Sequence, residues 1–402
     1  MLPKDLKYRR GNQMRILHTS DWHIGKRIHG ASMIEDQKHI LDQLLNLLEK
    51  ESIDVLLMAG DIYDRSIPPT EAVELLDQTL SRIVLDLGVK VIIIAGNHDS
   101  PDRLDFGSKI LKDQGLYIVG RYQDNHGPIV LDDDYGSVSF YPVPYLEPAV
   151  IKAYYALDQT VTHDDAIEIV LDKIKGMMNT ENRNICISHS FVVGSEQPET
   201  SESERPLSIG GSEYVKAHHF DAFDYVALGH LHRPQKVGRQ NMRYAGSLLK
   251  YSFSEAKQKK SVTLIDLKEK GNMQIQTLTL KPKRDLRIIQ GELNQLLEKE
   301  VYTLGNTDDY IYAILTDQNK LYEPMQKLRT IYPNILQLER ENIESNEGYH
   351  HLENQQIASK NPEELFESFY HQVTGLTHMS KAIKQSFQEV YQQVIEEERD
   401  NA

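Results

Sequence analysis

Short apolar runs, rich in β-branched residues, recur along the first part of the chain, and polar residues follow each of them. Five such runs lead into Asp21, Asp61, Asn97, His189 and His230. Runs this short and this uniformly apolar predict strands that are buried on both faces of a sheet. Between the first three runs, apolar residues at helical spacing predict helices over 34–48 and 73–87. Alternating strands and helices predict a layered α/β domain whose polar groups collect where strands end.

The pattern changes twice farther along. Residues 262–267 and 273–280 alternate apolar and polar positions, which predicts antiparallel strands that close a second sheet. At 281–284 a proline lies in a basic cluster, and we predict a domain boundary there, with the first domain spanning 14–282. Residues 283–342 contain strand-like runs near 286–289, 310–315 and 335–338 and a helical segment near 293–297, which predicts a small α+β domain.

The end of the chain predicts a linker followed by two helices. Residues 343–360 are polar, and 361–402 carry apolar stripes at helical spacing on either side of Gly375. Such stripes are usually intramolecular core. The linker, however, separates them from the preceding cores, and a helix pair with an exposed stripe commonly docks on a partner.

Composition limits the class of protein. A chain of 402 residues predicts two or three domains. Its single cysteine, Cys186, excludes an intrachain disulfide and suits a reducing cytoplasm. Residues 1–13 are charged and lack a signal-peptide core, so they are expected to be an extension before Met14 or the product of an upstream start. No apolar run approaches the roughly 20 residues needed to span a membrane.

The residues after the five runs form a ligand set for two metal ions. Carboxylate, imidazole and amide ligands together suit Mn²⁺, Fe or Zn²⁺ better than an all-oxygen Mg²⁺ site. We assign Asp21, His23 and His232 to one ion, Asn97, His189 and His230 to the other, and Asp61 as the bridge. Two carboxylates against two divalent cations leave a net +2, which suits one phosphodiester anion and one hydroxide. Ions about 3.5–4 Å apart can activate water and stabilise charge on phosphate.

His98 is predicted to have a different role. It follows Asn97 directly, so in an extended backbone it faces the opposite side, toward substrate. We predict that His98 is the general acid for the leaving oxygen, or a donor to the transition state, and that Asp64 orients its ring. His18, His29 and His126 are expected to be ordinary polar loop residues.

Charge gives two opposing indications about nucleic acid. The formal net charge of −15 argues against strong unaided binding to DNA, because an acidic surface repels phosphates. Basic residues nevertheless follow four of the motifs, and could ring the metal site: Lys26, Arg27, Arg65, Arg103 and Arg233. The alternative is that these basic residues follow the motifs only because loops are generally polar. The segment 194–211, rich in Ser and Glu, predicts a mobile loop.

Four stretches carry a family resemblance. Residues 60–68 read GDIYDRSIP, 96–104 GNHDSPDRL, 201–207 SESERPL and 223–235 FDYVALGHLHRPQ. Together with Asp21-Trp22-His23, the first of the motifs that follow the apolar runs, they resemble the calcineurin-like metallophosphoesterase superfamily. Within it they resemble the SbcD family of bacterial nuclease subunits, which are relatives of the Mre-type break-repair nucleases. The resemblance runs from Met14 to about Lys281, and the ligand positions above agree with that family's pattern.

The resemblance implies a fold and an activity. The fold would be α/β, a four-layer metallophosphoesterase β-sandwich flanked by helices, with a small α+β capping domain and C-terminal helices. The activity would be that of an Mn²⁺-dependent DNA nuclease with two Mn²⁺ ions, for which Mg²⁺, Fe or Zn²⁺ are possible substitutes. It would act as a 3′–5′ exonuclease on double strands and an endonuclease on single strands and hairpins, in DNA repair, recombination and replication.

The resemblance also implies partners. An SbcC-type ATPase would bind residues 361–402 through the base of its coiled coil, and two copies of this chain would pair within a heterotetramer. The location would be cytoplasmic and nucleoid-associated. No Walker-type loop is present, so ATP hydrolysis must come from a partner, and no base-reading module predicts sequence-specific binding.

Two other classes of function compete with the nuclease. A phosphatase or phosphodiesterase acting on a small molecule would use the same metals but would leave the capping domain and tail unexplained. A non-enzymatic scaffold that keeps the fold for protein contacts would normally have lost ligands, whereas here the set is complete and includes His98.

Overall fold

The computed structural model describes residues 13–124, 127–204, 213–319, 321–341 and scattered positions between 366 and 391. The strands in this part of the chain are β1 Met14–Thr19, β2 Arg27–Ile28, β3 Ala31–Ser32, β4 Val55–Ala59, β5 Lys90–Ile94, β6 Leu116–Val119, β7 Ile129–Asp133, β8 Gly136–Val143, β9 Arg183–His189, β10 Val192–Val193, β11 Val215–Lys216, β12 Tyr225–Gly229, β13 Gln235–Val237, β14 Arg239–Tyr244, β15 Ser261–Leu267, β16 Met273–Thr279, β17 Leu286–Gly291, β18 Tyr310–Leu315 and β19 Ile335–Arg340. The α-helices are α1 Ile34–Lys50, α2 Thr70–Ser81, α3 Pro101–Leu104, α4 Ser108–Leu111, α5 Pro148–Tyr154, α6 His163–Met177, α7 Leu293–Leu296, α8 Lys299–Tyr302 and α9 Pro324–Arg329.

Two six-stranded sheets form the body of the molecule. The first has the order β16-β15-β1-β4-β5-β6, and the second β13-β14-β12-β9-β8-β7. In the first, β1, β4, β5 and β6 run parallel, and in the second β8, β9, β12 and β14 do. The five predicted strands are confirmed as β1, β4, β5, β9 and β12, each almost wholly buried.

The sheets pack face to face. Ile16 and Leu57 of the first sheet share a buried cluster with Phe140 and Ile187 of the second. The outer face of the first sheet is covered by α1 and α2, and that of the second by α5 and α6, each with its own apolar cluster. The expected four layers, helix, sheet, sheet and helix, are therefore confirmed. The helix predicted over 73–87 is α2 extended by a π-helical turn, Arg82–Asp86.

Two sequence-based expectations about this body are wrong. The antiparallel pair β15 and β16 does not close a second sheet but extends the first, because β15 pairs along the length of β1. His18 is not a loop residue. It lies within β1, fully buried, and its ring bonds the Tyr225 hydroxyl at 3.0 Å and the Leu228 carbonyl at 3.2 Å in the facing sheet. His29 does lie in a turn, between β2 and β3, and His126 lies outside the described residues.

A third sheet of parallel strands, β17-β18-β19, carries its own core with α7 and α9. An ion pair fastens this region to α1. The Asp36 carboxylate, fully buried, accepts from the Arg284 guanidinium at 2.5 and 3.0 Å and from the Tyr310 hydroxyl at 2.8 Å. Because charged hydrogen bonds of this kind are strong and directional, they hold β17–β19 against the first helix.

The chain divides into two compact units, Met1–Arg340 and Glu341–Ala402. In the second, the Phe366 and Phe387 rings stack at 4.2 Å between centroids. The predicted linker and most of the predicted C-terminal helices lie outside the described residues, so the domain division stays a prediction. In the part of the chain that the structure describes, no helix combines the length and apolarity needed to cross a bilayer.

Candidate metal centre

Glycines let the loops after three strands approach one another closely. A Cβ on Gly229 would lie 1.8 Å from the Ala59 carbonyl oxygen, and one on Gly96 would lie 2.1 Å from Asp61 Oδ1. Neither position has room for any side chain. The ends of β12 and β5 can therefore meet the loop after β4 only because these residues are glycines.

Four of the predicted ligands have left-handed backbone conformations. The φ angles are +52° at Asp21, +45° at His23, +51° at Asp61 and +107° at His230. Each such non-glycine residue costs on the order of 1–3 kcal/mol, and this kind of strain collects at functional sites. Main-chain hydrogen bonds hold the conformation: the Asp21 and His23 amides donate to the carbonyls of Gly60 and Asp61, each at 3.0 Å.

Asp21, His23 and His232 form one cluster of potential ligands, as predicted. One ligand atom from each lies within 4.8 Å of the others, and all three residues are buried. The two Nε2 atoms of His23 and His232 are 3.0 Å apart. Ligand atoms about 2.0–2.1 Å from a shared tetrahedral ion would be separated by about 3.3 Å. The spacing fits one divalent cation.

A second cluster lies beside the first. His189 Nε2 is 3.5 Å from Asp61 Oδ2 and 2.9 Å from Asn97 Oδ1. The Nδ1 atom of His189 donates to the Ala59 carbonyl at 2.8 Å, so Nε2 presents a lone pair. Two acceptors, Nε2 and Oδ1, therefore face each other. A cation between them would satisfy both, and the carbonyl bond is the usual way a protein orients a ligating histidine.

Asp61 lies between these two clusters. Its Oδ2 atom is 3.6 Å from His23 Nε2 in the first and 3.5 Å from His189 Nε2 in the second. Asp21 also belongs to a close cluster with Asp61 and His189. His230 is outside the close clusters found among the described residues; its ring centroid is 5.5 Å from that of His189, and its amide donates to Asp21 at 3.0 Å. The division of ligands between two ions stays a prediction.

The protonation states also suit a cation. Burial lowers the pKa of His23, His189 and His230, so these rings are neutral and can offer lone pairs. Burial, together with the negative charge of Asp61, raises the pKa of Asp21 well above its ordinary value. Two buried carboxylates repel each other in the absence of positive charge, and a divalent ion would remove that cost. The donor set therefore fits a metal site.

His98 lies at the half-buried rim of this centre. Its amide donates to Asp61 Oδ1 at 2.9 Å, and its ring stands edge-on to His23 with centroids 4.8 Å apart. Its Nδ1 donates to the main-chain carbonyl of Asp64 at 2.8 Å, whereas the Asp64 carboxylate pairs with Lys26 at 2.8 Å. Asp64 thus contacts the His98 ring through its main-chain carbonyl, and its role in orienting that ring stays a prediction.

Sequence reasoning assigned no role to Asp99 or Gln37, and both hold the centre in place. The Asp99 carboxylate accepts from the amides of Ile62, Tyr63 and Gly96 at 2.9–3.1 Å, and thereby joins the second and third loops. Burial and the nearby charge of Asp61 raise the pKa of Asp99 to about 7. The position of Asp99 in the GNHD motif was the sequence feature that could have indicated this role.

Gln37 supports the first loop from α1. Its Nε2 donates to the His23 carbonyl at 2.7 Å, and its Oε1 accepts from the Gly25 amide at 3.0 Å. Gln37 is buried beside Asp36, whose carboxylate binds Arg284 and Tyr310. Nothing in the local pattern of α1 distinguishes it from a surface glutamine.

Replacing Gln37 with Ala is expected to weaken Mn²⁺ binding by about 10–100-fold, the usual effect of losing an outer contact to a metal site. The reason is that the His23 carbonyl and the Gly25 amide both lose their partner. Titration calorimetry of the metal-stripped protein with Mn²⁺ measures it. Gln78→Ala, at an exposed position of α2, is the matched control. Equal affinities in the two variants would contradict the prediction.

Residues 201–204 belong to the segment predicted to be a mobile loop, and two of them contact His232. Ser203 Oγ is 2.7 Å from His232 Nδ1, and Glu204 Oε1 accepts from the His232 amide at 2.7 Å. Burial would raise the pKa of Glu255, which also lies beside this ring, but Lys260, 2.5 Å away, holds that pKa below the usual range. Residues 205–212 lie outside the described part of the chain.

The five predicted substrate-binding cations differ in availability. Lys26 is paired with Asp64, Arg233 with Glu199, and Arg27 donates to the Gly30 carbonyl. Arg65 and Arg103 are exposed, and neither has an ion-pair partner among the described residues. The role of all five in binding substrate stays a prediction.

Comparisons with known proteins agree with this geometry. Residues 14–234 match the family model described as calcineurin-like phosphoesterase, and residues 282–374 match that of the type 5 capsule protein repressor C-terminal domain. The D subunit of the SbcCD nuclease of Staphylococcus epidermidis is 36% identical over 368 residues, which cover 92% of this chain and 95% of that protein.

Similar solved structures are more distant. Phosphopantetheinyl hydrolase (PptH) from Mycobacterium tuberculosis is 17% identical, with a TM-score of 0.35, over 61% of this chain and 92% of that one. The protein TT1561 of Thermus thermophilus is 12% identical, with a TM-score of 0.39, over 66% of this chain and 99% of that one. At these scores neither structure bears on the chemistry of this chain.

Proposed function

Because the chain belongs to the calcineurin-like phosphoesterase family, among the SbcD nuclease subunits, we propose that it cuts DNA with two Mn²⁺ ions. Membership makes it a nuclease subunit and a metal-dependent phosphodiester hydrolase. The proposal adds the metal, the number of ions and the modes of cutting: 3′–5′ exonuclease on duplex ends, and endonuclease on single strands and hairpins. The location that we propose is the cytoplasm, at the nucleoid.

The observation that carries the proposal is the pair of buried ligand clusters joined by Asp61. Asp21, His23 and His232 would hold one ion and Asn97, His189 and His230 the other, with Asp61 shared between them. When bound, the ions would activate water and offset the charge that develops on the phosphate. The protein supplies the strained, hydrogen-bonded loops that keep these side chains in place.

His98 and its neighbours would handle the proton. Nδ1–H of His98 donates to the Asp64 carbonyl, so the ring would act as an acid in its doubly protonated form. Nε2 would then pass its proton to the leaving oxygen and leave a neutral ring. Arg65 and Arg103 would bind flanking phosphates, because both are exposed beside the second and third motifs. Lys26 would fix the Asp64 carboxylate, and through it the loop that carries the His98 contact.

We further propose that two copies of the chain pair. Phe106, between α3 and α4, and Ile110, within α4, are 86% and 78% exposed. Large apolar side chains that are this exposed and lie this close together mark interaction surfaces. Both lie in the stretch that follows the GNHDSPDRL motif, which carries Asn97 and His98. A mass in solution of twice 46.2 kDa would support this pairing.

The partner for residues 361–402 would be the coiled-coil base of an SbcC-type ATPase. Deleting 361–402 is expected to abolish the complex with that ATPase, because the apolar stripes of the tail would supply the docking face. Size-exclusion chromatography of the two purified proteins measures it, and manganese content serves as the control for an intact metal centre. A complex that survives the deletion would place the docking face elsewhere.

Cleavage of a labelled DNA hairpin tests the nuclease proposal. The purified chain is incubated with the hairpin with and without Mn²⁺, and with and without the ATPase and ATP. Cutting that needs Mn²⁺ and increases with ATPase and ATP is expected. If the hairpin stays intact while a small phosphodiester such as bis(p-nitrophenyl) phosphate is hydrolysed, the small-molecule phosphodiesterase becomes the better assignment.

A further inference from the structure

A groove of about 690 Å³ opens beside the metal centre, between the body of the molecule and the third sheet. We call it the β2–β3 groove, because the turn between these two strands, with His29 at its tip, forms one wall. The segment from Tyr251 to Ser254 forms the floor, and Tyr312 on β18 forms the opposite wall. None of the chemistry proposed above uses His29, Phe253 or Tyr312.

A row of aromatic side chains lines this groove, and its first member, Tyr251, lies beside the predicted metal ligands. The Tyr251 ring stands edge-on to His23 and His232, with centroids 5.5 and 5.9 Å away. Two residues on, the Phe253 ring lies 5.8 Å from His29 and 5.4 Å from Tyr312. Phe253 is largely buried, whereas His29 is exposed and Tyr312 half-buried. The groove therefore offers ring faces within reach of the centre.

Charge is distributed unevenly along the groove. Lys26, which pairs with Asp64, and Arg27, which donates to the Gly30 carbonyl, line it on the β2–β3 side. Glu202 also lines the groove. Across the groove, the Tyr312 hydroxyl donates to Glu339. Carboxylates repel phosphate but tolerate a neutral ring with N–H donors. A nucleotide would fit with its phosphate at the cationic edge and its base toward the aromatic row.

The hairpin presents His29 in a strained conformation. The φ angles at its tip are +46° for His29 and +85° for Gly30, as in the two-residue turns that connect tight hairpins. Gly30 suits this geometry, but His29 adopts it at a cost. The turn places the His29 imidazole against Phe253, two residues from the Tyr251 ring that contacts His23 and His232.

From these contacts we infer that the β2–β3 groove binds an unpaired nucleobase of the DNA strand that enters the metal centre. The base stacks on His29 and Tyr312, with Phe253 supporting both rings. Stacking on aromatic side chains tolerates any base, because every base has a π face. The inference rests on the proposed nuclease function and deepens it: the groove would favour hairpin loops and single strands over fully paired DNA.

Binding of fluorescein-labelled DNA hairpins tests the inference, with Ca²⁺ replacing Mn²⁺ to prevent cutting. One hairpin has a thymidine loop, and its twin has an abasic loop with the same phosphates. Tyr312→Leu and His29→Ala are each expected to weaken binding of the thymidine loop by about 10-fold, the effect of losing one stacking contact. Binding of the abasic loop should change by less than about 2-fold, because it has no base to stack.

Two further variants sharpen the test. Tyr312→Phe keeps the ring and should restore binding. Tyr322→Leu makes the same change at an aromatic residue that is 75% exposed and does not line the groove, and should bind both hairpins like the unaltered chain. His29→Ala keeps the test decisive if Tyr312→Leu fails to fold.

The outcomes separate this inference from the proposed function. If Tyr312→Leu and His29→Ala weaken both hairpins equally, or neither, the groove does not bind a base and the inference is overturned, whereas the nuclease proposal stands as long as the unaltered chain cuts DNA. If the unaltered chain neither binds nor cuts either hairpin, with the ATPase and ATP absent or present, the nuclease proposal itself fails.

Discussion

Replacing His98 with Asn is expected to lower DNA cleavage by about 10²–10⁴-fold while leaving the bound manganese unchanged. The asparagine keeps the main-chain amide that donates to Asp61 Oδ1 at 2.9 Å, so the bridge between the two clusters keeps its support. It removes the imidazole whose Nδ1 is bonded to the Asp64 carbonyl. What is lost is therefore the predicted proton donor and its edge-on contact with His23, whereas the amide support of Asp61 remains.

Two measurements are needed for His98→Asn, because His98 also lies in a close cluster with His23 and Asp61. Manganese per chain, by elemental analysis, should match the unaltered protein, and hairpin cleavage in Mn²⁺ should show the loss. His39→Asn, at an exposed position of α1, is the matched control and should cut normally. A variant that has lost manganese together with activity would make His98 a ligand instead of an acid.

Replacing Asp61 with Asn is expected to reduce bound manganese from two ions to one or fewer and cleavage by at least about 10³-fold. Losing several kcal/mol of charge stabilisation at the phosphate has an effect of this size, since each ~1.4 kcal/mol is tenfold in rate. Asp61 Oδ2 lies 3.5–3.6 Å from histidine nitrogens in both clusters, so its charge would stabilise an ion in either of them. Elemental analysis and hairpin cleavage measure the two losses.

The metal-free form of Asp61→Asn gives an independent check. Burial and then the charge of Asp61 raise the pKa of Asp21, which means that the two carboxylates repel each other when no cation is present. Urea unfolding in EDTA should therefore find the variant more stable than the unaltered chain. Asp224→Asn, before β12 and at its opposite end from His230, is the control and should keep both ions. Normal manganese content in Asp61→Asn would show that Asp61 is not the bridge.

The two sheets show where local pattern was sufficient and where it was not. The apolar runs before Asp21, Asp61, Asn97, His189 and His230 predicted strands because burial on both faces leaves a direct mark on composition. The same reasoning placed β15 and β16 in the wrong sheet. β15 is an interior strand, paired with β16 on one side and β1 on the other, and it is almost wholly buried. Its sheet was decided by the pairing with β1, which is distant in the sequence and leaves no mark on the local pattern.

The supporting contacts of the centre show the same limit. In the sequence, Ser203, Glu204 and Gln37 look like ordinary polar residues of a loop and a helix. In the structure, Ser203 and Glu204 bond His232, and Gln37 bonds the loop of His23. Their roles depend on contacts between separate elements, which local composition does not record. Asp64 was named correctly as a neighbour of His98, but the contact is made by its carbonyl, which every residue type possesses.

The sequence by itself determined the kinds of ligand, their order and their positions at strand ends, because a short apolar run directly indicates the length and burial of a strand. Only the tertiary structure decided how the ends meet. His23 and His232 are 209 positions apart, and their nitrogens lie 3.0 Å from each other because two sheets pack face to face. The packing of those sheets is a property of many weak contacts summed over the whole core, so no motif could encode it.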